Sequence, residues 1–365
     1  MANNEATQKP PLTGLKVLEL AGTVIGPFTG MVLADLGCDV VRIDPPSSKK
    51  NSPWIDSLCR RKSSVVVDFA SPSSLQAFFD LLTVADILID PYRPGAFERS
   101  IGMNAEELCR QFPRLVYARI NGFAHDDQTY SHAVGHEGNY IAVSGGLPSL
   151  QHMRGKNGVL FKPTTNYLAD FGPGSMACIV GILCALMQRS VSGRGQVVDA
   201  SVQQGTAYMS IFPRQRREHA EQATTGEPSL DTDHAPYYDI YRLDPAVMPG
   251  RDDRSNWPAL REVLGEKFAS ETQKHWRSVF DGANACVSPI LDFDDAGVDL
   301  GRPLVQLSET PSLPIPKEHG IPSLGLGEGS ADACRRWLGK RTDLVIDSSS
   351  FILKKNNGRG LKSKL

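Results

Sequence analysis

The chain has 365 residues, of which 41% are hydrophobic and 22% charged, and its formal net charge at pH 7 is −2. This charge balance argues against a nucleic-acid-binding protein, which usually carries a basic excess, and the composition excludes a disordered, collagen-like or coiled-coil chain. The length suits about two domains. Seven scattered cysteines with no CxxC pair argue against a disulfide framework or a structural zinc site, and indicate a reducing compartment.

Short apolar runs alternate with helix-like segments through the first half of the chain. Strands are predicted at 15–20, 39–44, 63–69, 86–90 and 115–121, and helices at 26–37, 71–85 and 104–113. Ser71 and Asn104 are the predicted caps of the second and third helices. Strands separated by helices predict right-handed βαβ units, and therefore a doubly wound, mostly parallel, Rossmann-like α/β sheet.

The second half begins with an apolar run at 171–189, which predicts a central buried helix, and a strand at 196–202. The most apolar part of the run, Ser175 to Met187, is shorter than the roughly 18–20 residues of a membrane span, so we expect no membrane insertion. Two amphipathic helices are predicted at 257–269 and 270–280, in a smaller α+β domain. The predicted organisation is an N-terminal tail (1–12), a large domain (13–224), a small domain (225–300), a return segment packing on the large domain (301–350) and a C-terminal tail (351–365).

The two ends of the chain carry targeting information. The first ten residues resemble neither a secretory signal nor an Arg-rich transit peptide. The chain finishes with Ser363, Lys364 and Leu365, the tripeptide that the peroxisomal import receptor reads, after a basic stretch typical of an exposed tail. The sequence therefore predicts a peroxisomal protein and an import receptor as one partner.

Two polar positions are candidates for chemistry. His136 lies in a loop after the last strand of the first block, and loops at the carboxyl ends of parallel strands carry the sites of α/β proteins. Asp170 lies just before the apolar helix, where backbone N–H groups and the helix dipole can hold a carboxylate or a developing oxyanion. The simpler interpretations, a loop histidine and a helix cap, remain open.

Two other patterns are weak. His132 and His136 are four residues apart, but the nearby glycines disfavour a regular helix and no acidic ligand set accompanies them, so we expect no metal site. The glycines of GTVIGPFTG at 22–30 follow the first strand but do not fit the dinucleotide-binding pattern GxGxxG.

Many ordered segments resemble one known family. They include LKVLELAGTVIGPFTGMVLADLG, YRPGAFERSIGM, GHEGNY, NYLADFGPGSM and GRGQVVDASVQQGTAY, and they run from residue 12 to 242 and again over 257–292. The sequence resembles the family III CoA-transferase superfamily and, within it, the α-methylacyl-CoA racemases, because the transferases lack the His of the GH-x-x-NY element. The resemblance implies the fold of that family, with a large CoA-binding domain and an interlocked homodimer.

The resemblance also implies an activity: an isomerase that interconverts (2R)- and (2S)-2-methylacyl-CoA thioesters by two-base α-proton transfer through an enolate. Such an enzyme feeds branched acyl-CoA into peroxisomal β-oxidation. His136 and Asp170 fall on the family's catalytic acid/base pair. No cofactor is implied, since CoA is part of the substrate. The family pattern places contacts with CoA or the substrate at Val67, Asp68, Phe69, Ala70, Arg93, Gly135, Glu137, Gly138, Asn139 and Tyr140, with Arg42 and Arg61 as neighbours of phosphate or adenine.

The sequence departs from the family at three places. Glu137 and Gly138 stand where relatives usually have Asp and Ile, and Pro45 stands where racemases often have an Arg. After Arg242 a family segment is absent, which leaves open a rebuilt small domain, a misread exon or reduced activity. Three alternative functions remain: an epimerase of a secondary-metabolite thioester such as isopenicillinyl-CoA, to which the extra residues 151–154 are suited; an inactive CoA-ester-binding homologue; and a CoA-transferase with Asp170 as nucleophile.

Overall fold

The computed structural model describes residues 9–47, 57–146, 166–215, 254–280, 303–315, 323–339, 343–347, 349–350 and 352–356, with the backbone of 154–155 and 158–159. The described residues fall into two compact units. The first holds those before residue 149, from 162 to 209 and after 299, and the second holds the rest. The predictions made for Ser363–Leu365, for 151–153, for the segment after Arg242 and for the small domain at 225–253 and 281–300 lie outside the described residues.

A six-stranded parallel sheet forms the centre of the first unit. Its strands are β1 (Lys16–Leu20), β2 (Asp39–Asp44), β3 (Lys62–Val66), β4 (Ile87–Asp90), β5 (Val116–Asn121) and β8 (Val197–Ser201), in the order β3-β2-β1-β4-β5-β8. In the register, Leu18 lies opposite both Val41 and Leu88. The predicted parallel, doubly wound sheet is confirmed. Its strand order reverses between β1 and β4, and doubly wound folds bind ligands beyond the carboxyl ends of the strands at such a point.

Helices surround this sheet and bury its strands on both faces, so that most residues of β1, β4 and β5 are inaccessible to water. Asn104 caps its helix as predicted, in a reciprocal pair of bonds with Glu107. Ser71 also occupies the predicted N-cap position of its helix, with an extended backbone, but its side chain makes no capping hydrogen bond. The helices of the first unit are α1 (Ile25–Asp35), α2 (Pro72–Leu82), α3 (Ala96–Ile101), α4 (Ala105–Gln111), α5 (Glu137–Ser144), α6 (Ala177–Ser192), α7 (Val202–Met209) and α10 (Ser330–Leu338).

The segment after residue 300 contributes a helix and a hairpin that the sequence patterns did not predict. Helix α10 packs on α2 and β3, and the antiparallel pair β9 (Leu344–Ile346) and β10 (Leu353–Lys355) packs on α2. The indole of Trp337 is buried in the core and donates to Asp39 Oδ2 at 3.0 Å. The last part of the chain therefore covers the β3 edge of the sheet.

The apolar run at 171–189 differs from its prediction. A ten-residue π-helix (Tyr167–Met176) continues directly into α6, giving 26 helical residues. By length and composition this span would suffice to cross a membrane, although core helices pass the same test, and 44% of its most apolar window is buried. Only one side of α6 faces the sheet, because Cys178 and Ile182 are buried whereas Val180, Met187 and Val191 are exposed by 59%, 71% and 84%. The expectation of burial all round is wrong.

The second unit contains α8 (Trp257–Ala269), α9 (Gln273–Phe280), a 3₁₀ turn (Arg254–Asn256) and two short antiparallel strands, β6 (Arg154–Gly155) and β7 (Gly158–Val159). The rings of Phe268, Trp276 and Phe280 pack together where the two helices meet. The Trp276 indole also donates to the Phe268 carbonyl at 3.0 Å. The two helices lie where the amphipathic pattern predicted them.

Candidate active site

His136 is the residue immediately before α5, and a tight turn holds it there. Its extended backbone donates through N–H to Asn139 Oδ1 at 3.0 Å, while its carbonyl accepts from Asn139 N–H at 2.8 Å. The Tyr140 hydroxyl donates to the carbonyl of Gly135, and a Cβ at Gly135 would lie 2.7 Å from the Tyr140 ring. The glycine, asparagine and tyrosine of the GHEGNY motif therefore shape the turn that presents the exposed His136.

Asp170 is the fourth residue of the π-helix, and its side chain is buried, with 3% exposed. Its Oδ2 accepts from Asn166 Nδ2 at 2.6 Å, whereas its Oδ1 has no hydrogen-bond partner among the described residues. Asn166 precedes the helix with a left-handed backbone, at φ 70°. Since Asp170 lies inside the helix and its carboxylate accepts from a side chain, the helix-cap interpretation is wrong.

Contacts with α1 hold the π-helix in place. The Phe171 ring stacks on Phe28 of α1, with centroids 4.3 Å apart. The Ser175 hydroxyl lies 3.0 Å from the carbonyls of Ile25 and Asp170, both of which it can reach as a donor. π-helical segments are rare and are frequently found at functional sites, and this one carries the buried carboxyl.

The electrostatics join residues that are distant in sequence. Burial raises the pKa of Asp170 to about 6; the hydrogen bond from Asn166 lowers it, the carboxylate of Glu137 raises it, and a positive charge on His136 lowers it. Burial also raises the pKa of Tyr140 to about 12, with a further rise from Asp170 and an opposing effect of Arg93. His136, Glu137 and Tyr140 therefore lie within electrostatic range of Asp170, and Arg93 lies within electrostatic range of Tyr140.

The side chain of Glu137 binds the backbone beside Asp170. Its side chain is buried, and its Oε1 accepts from Ala169 N–H at 2.8 Å while its Oε2 accepts from Asn166 N–H at 2.9 Å. A carboxylate engaged in this way joins two segments of the protein, and the predicted contact of Glu137 with CoA or the substrate stays a prediction. Of the oxyanion donors expected at the start of the apolar helix, the N–H groups of Asn166 and Ala169 are already bound by Glu137.

The remaining predicted contacts are distributed around the carboxyl edge of the sheet. Val67 is buried, Phe69 packs edge-on against Phe78 in the core, and Asp68 Oδ1 accepts from Ala70 N–H at 3.0 Å. Of these four positions after β3, Ala70 is exposed. Arg93 follows β4 and is exposed, and Gly138 lies half-buried in the first turn of α5.

The two other arginines are engaged by the protein. Arg42 is 3% exposed, pairs with Asp44 at 2.9 Å and donates to the carbonyl of Leu324 at 3.2 Å. Its place as a neighbour of phosphate or adenine stays a prediction. Arg61 has a left-handed backbone, pairs with Asp35 at 3.4 Å and donates to the carbonyl of Pro314, yet it is exposed, so its contact with CoA stays a prediction.

Asn166 and Phe28 are the residues of the site that sequence reasoning missed. The signal for Asn166 was its spacing, four residues before Asp170 in NYLADFG, which is the separation of residues on one helical face. No local pattern pointed to Phe28. Among the described residues no group of three or more His, Cys, Asp or Glu side chains could hold a metal ion.

The model of CoA-transferase family III matches residues 12–248, and the chain belongs to that family. A CaiB/BaiF family protein from Brucella suis has the same fold, with a TM-score of 0.68, 19% identity and coverage of 90% of this chain and 100% of that one.

Within the family the chain is similar to the racemase branch, as the resemblance implied. It is 34% identical to the human alpha-methylacyl-CoA racemase, over 94% of this chain and 98% of the human protein, and 33% identical to the mouse racemase, over 93% and 98%. The alignment with the mouse protein spans 390 positions, more than the 365 residues of this chain, so parts of that relative have no counterpart here.

Proposed function

We propose that this protein is an isomerase that interconverts the (2R) and (2S) configurations of 2-methylacyl-CoA thioesters. One observation carries the proposal: Asp170 is a buried carboxyl group with a pKa raised to about 6, within electrostatic range of His136. The names and the full-length similarity of the human and mouse relatives support it.

Racemisation requires two groups that flank one carbon, one accepting a proton while the other donates one. Neutral His136 removes the α-proton from one face of the thioester, and protonated Asp170 delivers a proton to the other face. In the reverse direction the Asp170 carboxylate accepts and the His136 imidazolium donates. A carboxyl with a pKa of about 6 exists in both protonation states near neutral pH, which suits it to both directions.

The intermediate is an enolate, whose oxygen carries negative charge. His136 lies at the amino end of α5, where the positive end of the helix dipole favours such a charge. The reaction moves only protons, and the thioester itself acidifies the α-carbon. The residues of this chain therefore need no redox cofactor, and CoA takes part only as a portion of the substrate.

The binding partners belong to the same proposal. Arg93 and Arg61 are the exposed cations suited to the phosphates of CoA, and Ala70 marks an exposed turn at the same edge of the sheet. A homodimer would cover the apolar surface that α6 and α7 expose, including Met187, Val191 and Tyr208. Import into peroxisomes would follow from the final tripeptide, and deleting Ser363–Leu365 from a tagged protein should abolish it.

The decisive experiment is α-proton exchange in D₂O. The purified protein is incubated with (2R)- and (2S)-2-methylacyl-CoA, with isopenicillinyl-CoA alongside, and followed by NMR. We expect deuterium to enter at the α-carbon with loss of configuration. Faster reaction of isopenicillinyl-CoA would instead indicate the epimerase of secondary metabolism.

Two outcomes would contradict the isomerase. Binding of thioesters without exchange would indicate an inactive CoA-ester-binding homologue. Turnover that requires a second free acid as CoA acceptor would indicate a transferase with Asp170 as nucleophile; the acetyl-CoA:oxalate CoA-transferase of Acetobacter aceti is a relative at 26% identity over 80% of this chain.

A further inference from the structure

We propose that Glu137 is a positioning residue: its buried carboxylate joins the backbone N–H groups of Asn166 and Ala169, and so sets the distance between His136 and Asp170. The inference rests on the proposed function, in which these two groups are the acid and the base. It concerns the residue that holds the pair in place, and not the pair itself.

The position of Glu137 in the chain makes it a direct link. It immediately follows His136, and Ala169 immediately precedes Asp170. The bonds from Ala169 N–H at 2.8 Å and Asn166 N–H at 2.9 Å therefore connect the neighbour of one reacting group to the backbone beside the other. Hydrogen bonds to an ionised acceptor are roughly twice as strong as neutral ones, and burial of this side chain protects them from competing water.

Asn166 extends the link to the reacting carboxyl. Its backbone N–H donates to Glu137, and its side-chain amide donates to Asp170 Oδ2 at 2.6 Å. The same residue adopts a left-handed backbone, at φ 70°, which asparagine accepts with little strain. The chain of bonds from Glu137 through Asn166 therefore fixes both the backbone and the carboxyl of Asp170.

The length of the Glu137 side chain matters in this arrangement. Its two oxygens reach two N–H groups that are three residues apart. An aspartate has one methylene fewer and keeps the charge, but it would reach both groups only if α5 moved closer to the π-helix. Displacement of a reacting group by about 1 Å can cost 10²-fold in rate.

Glu137 also acts on Asp170 through its charge, because a neighbouring carboxylate disfavours ionisation of the other. The elements packed against the π-helix are α1, α5, α6, α7, β5 and β8. The other charged groups on these elements pair elsewhere: Asp35 with Arg60, Arg189 with Asp86, and Arg119 with Asp199 and Glu98. The remaining ionisable groups there are Tyr117, Tyr140, Cys178, Cys184 and Tyr208, and burial raises the pKa of Tyr117, Tyr140 and Cys178.

The test compares three variants of the full-length protein in the D₂O exchange assay. Glu137→Gln keeps the shape of the side chain but replaces one acceptor by a donor and removes the charge. Glu137→Asp keeps the charge and shortens the reach. Ser144→Ala is the matched control: it removes the hydroxyl that donates to the Ile141 carbonyl at the other end of α5, with no bond to the π-helix.

We expect Glu137→Gln to lower kcat by about 10²-fold with little change in KM. The limb of its pH–rate profile that reports Asp170 should move to lower pH, because a negative neighbour is lost. Glu137→Asp should lie between this variant and the wild type in kcat, with that limb unmoved. Ser144→Ala should match the wild type in kcat and in pH profile.

Three results would overturn the inference. The first is a Glu137→Gln variant with wild-type kcat. The second is a loss of rate that merely follows the folded fraction in thermal melts, with an unmoved pH profile. The third is an equal loss in Ser144→Ala. Absence of exchange in the wild type overturns the proposed function itself, and the inference with it, so the two failures are distinguishable.

Discussion

Two buried carboxyl groups lie at the starts of neighbouring helical segments, and the protein treats them differently. At α5, both oxygens of Glu137 accept backbone N–H groups. In the π-helix, Asp170 accepts from Asn166 through one oxygen, and its Oδ1 has no partner in the part of the chain that the structure describes. Buried polar atoms in folded proteins nearly always have partners, and an exception needs an explanation. The satisfied carboxyl holds the structure together, whereas the incompletely satisfied one is left able to exchange a proton.

The largest effect expected from this contrast is on the chemistry. His136→Ala and Asp170→Asn should each lower the rate of α-proton exchange by about 10²–10⁴-fold, the usual contribution of a positioned acid or base. NMR in D₂O measures the rate. Asp126→Asn, which alters an exposed carboxylate in a nearby loop, should leave it unchanged. Full exchange by either site variant would exclude that residue from the pair.

A second test uses the cost of burying Asp170. Its pKa is raised in the folded state, so the folded protein loses stability as pH rises from the ordinary value of 3.8 towards about 6. The free energy of unfolding of Asp170→Asn should therefore exceed that of the wild type by about 1–3 kcal/mol at pH 7.5. At pH 4 the gain should vanish. Urea unfolding at the two pH values measures both, and a variant less stable at pH 7.5 would contradict the contrast.

Replacing Glu137 should lower the stability of the protein, in contrast to replacing Asp170 at pH 7.5. Glu137→Ala leaves the N–H groups of Asn166 and Ala169 without their acceptor, which should lower the free energy of unfolding by about 1–3 kcal/mol. Glu107→Ala is the comparison, because Glu107 also accepts a backbone N–H at a helix start, but at an exposed site. The loss of stability in Glu107→Ala should be smaller. Equal losses in urea unfolding would mean that burial adds nothing at Glu137.

The smallest effect concerns the turn that presents His136. Tyr140→Phe removes the hydroxyl that donates to the Gly135 carbonyl, and should lower stability by about 1 kcal/mol. Gly135→Ala should cost more, because its Cβ would lie 2.7 Å from the same ring. Thermal melts rank the two variants. If Tyr140→Phe raises KM for the thioester without changing stability, the hydroxyl binds substrate instead.

The sequence predicted the parallel sheet because strands buried on both faces read as apolar runs, as in DILID at 86–90. It predicted His136 and Asp170 through short motifs in which many residues act together. It could not show that Glu137 and Arg42 are engaged inside the protein, because a charged side chain near a site has the same letter whether it faces a ligand or a buried partner. Only the pairing of Arg42 with Asp44 and of Glu137 with backbone N–H groups separates these cases.

The buried face of the apolar helix also could not be predicted from the sequence. Its composition is nearly uniform around the axis, so periodicity could not reveal which face meets the sheet. The burial of Ile182 and the exposure of Met187 depend on where the neighbouring elements lie. The π-helix itself leaves no signature that distinguishes it from the first turns of an ordinary helix.

The left-handed backbone of Asn166 and its side-chain hydrogen bond place two separate requirements on the residue at this position. The backbone at φ 70° accepts glycine, asparagine or aspartate with little strain. The side chain must also donate a hydrogen bond to Asp170, which glycine cannot do and an ionised aspartate would oppose with its own charge. A saturation library at this position, selected for folding, should return three residues, and the same library selected for turnover should return asparagine alone.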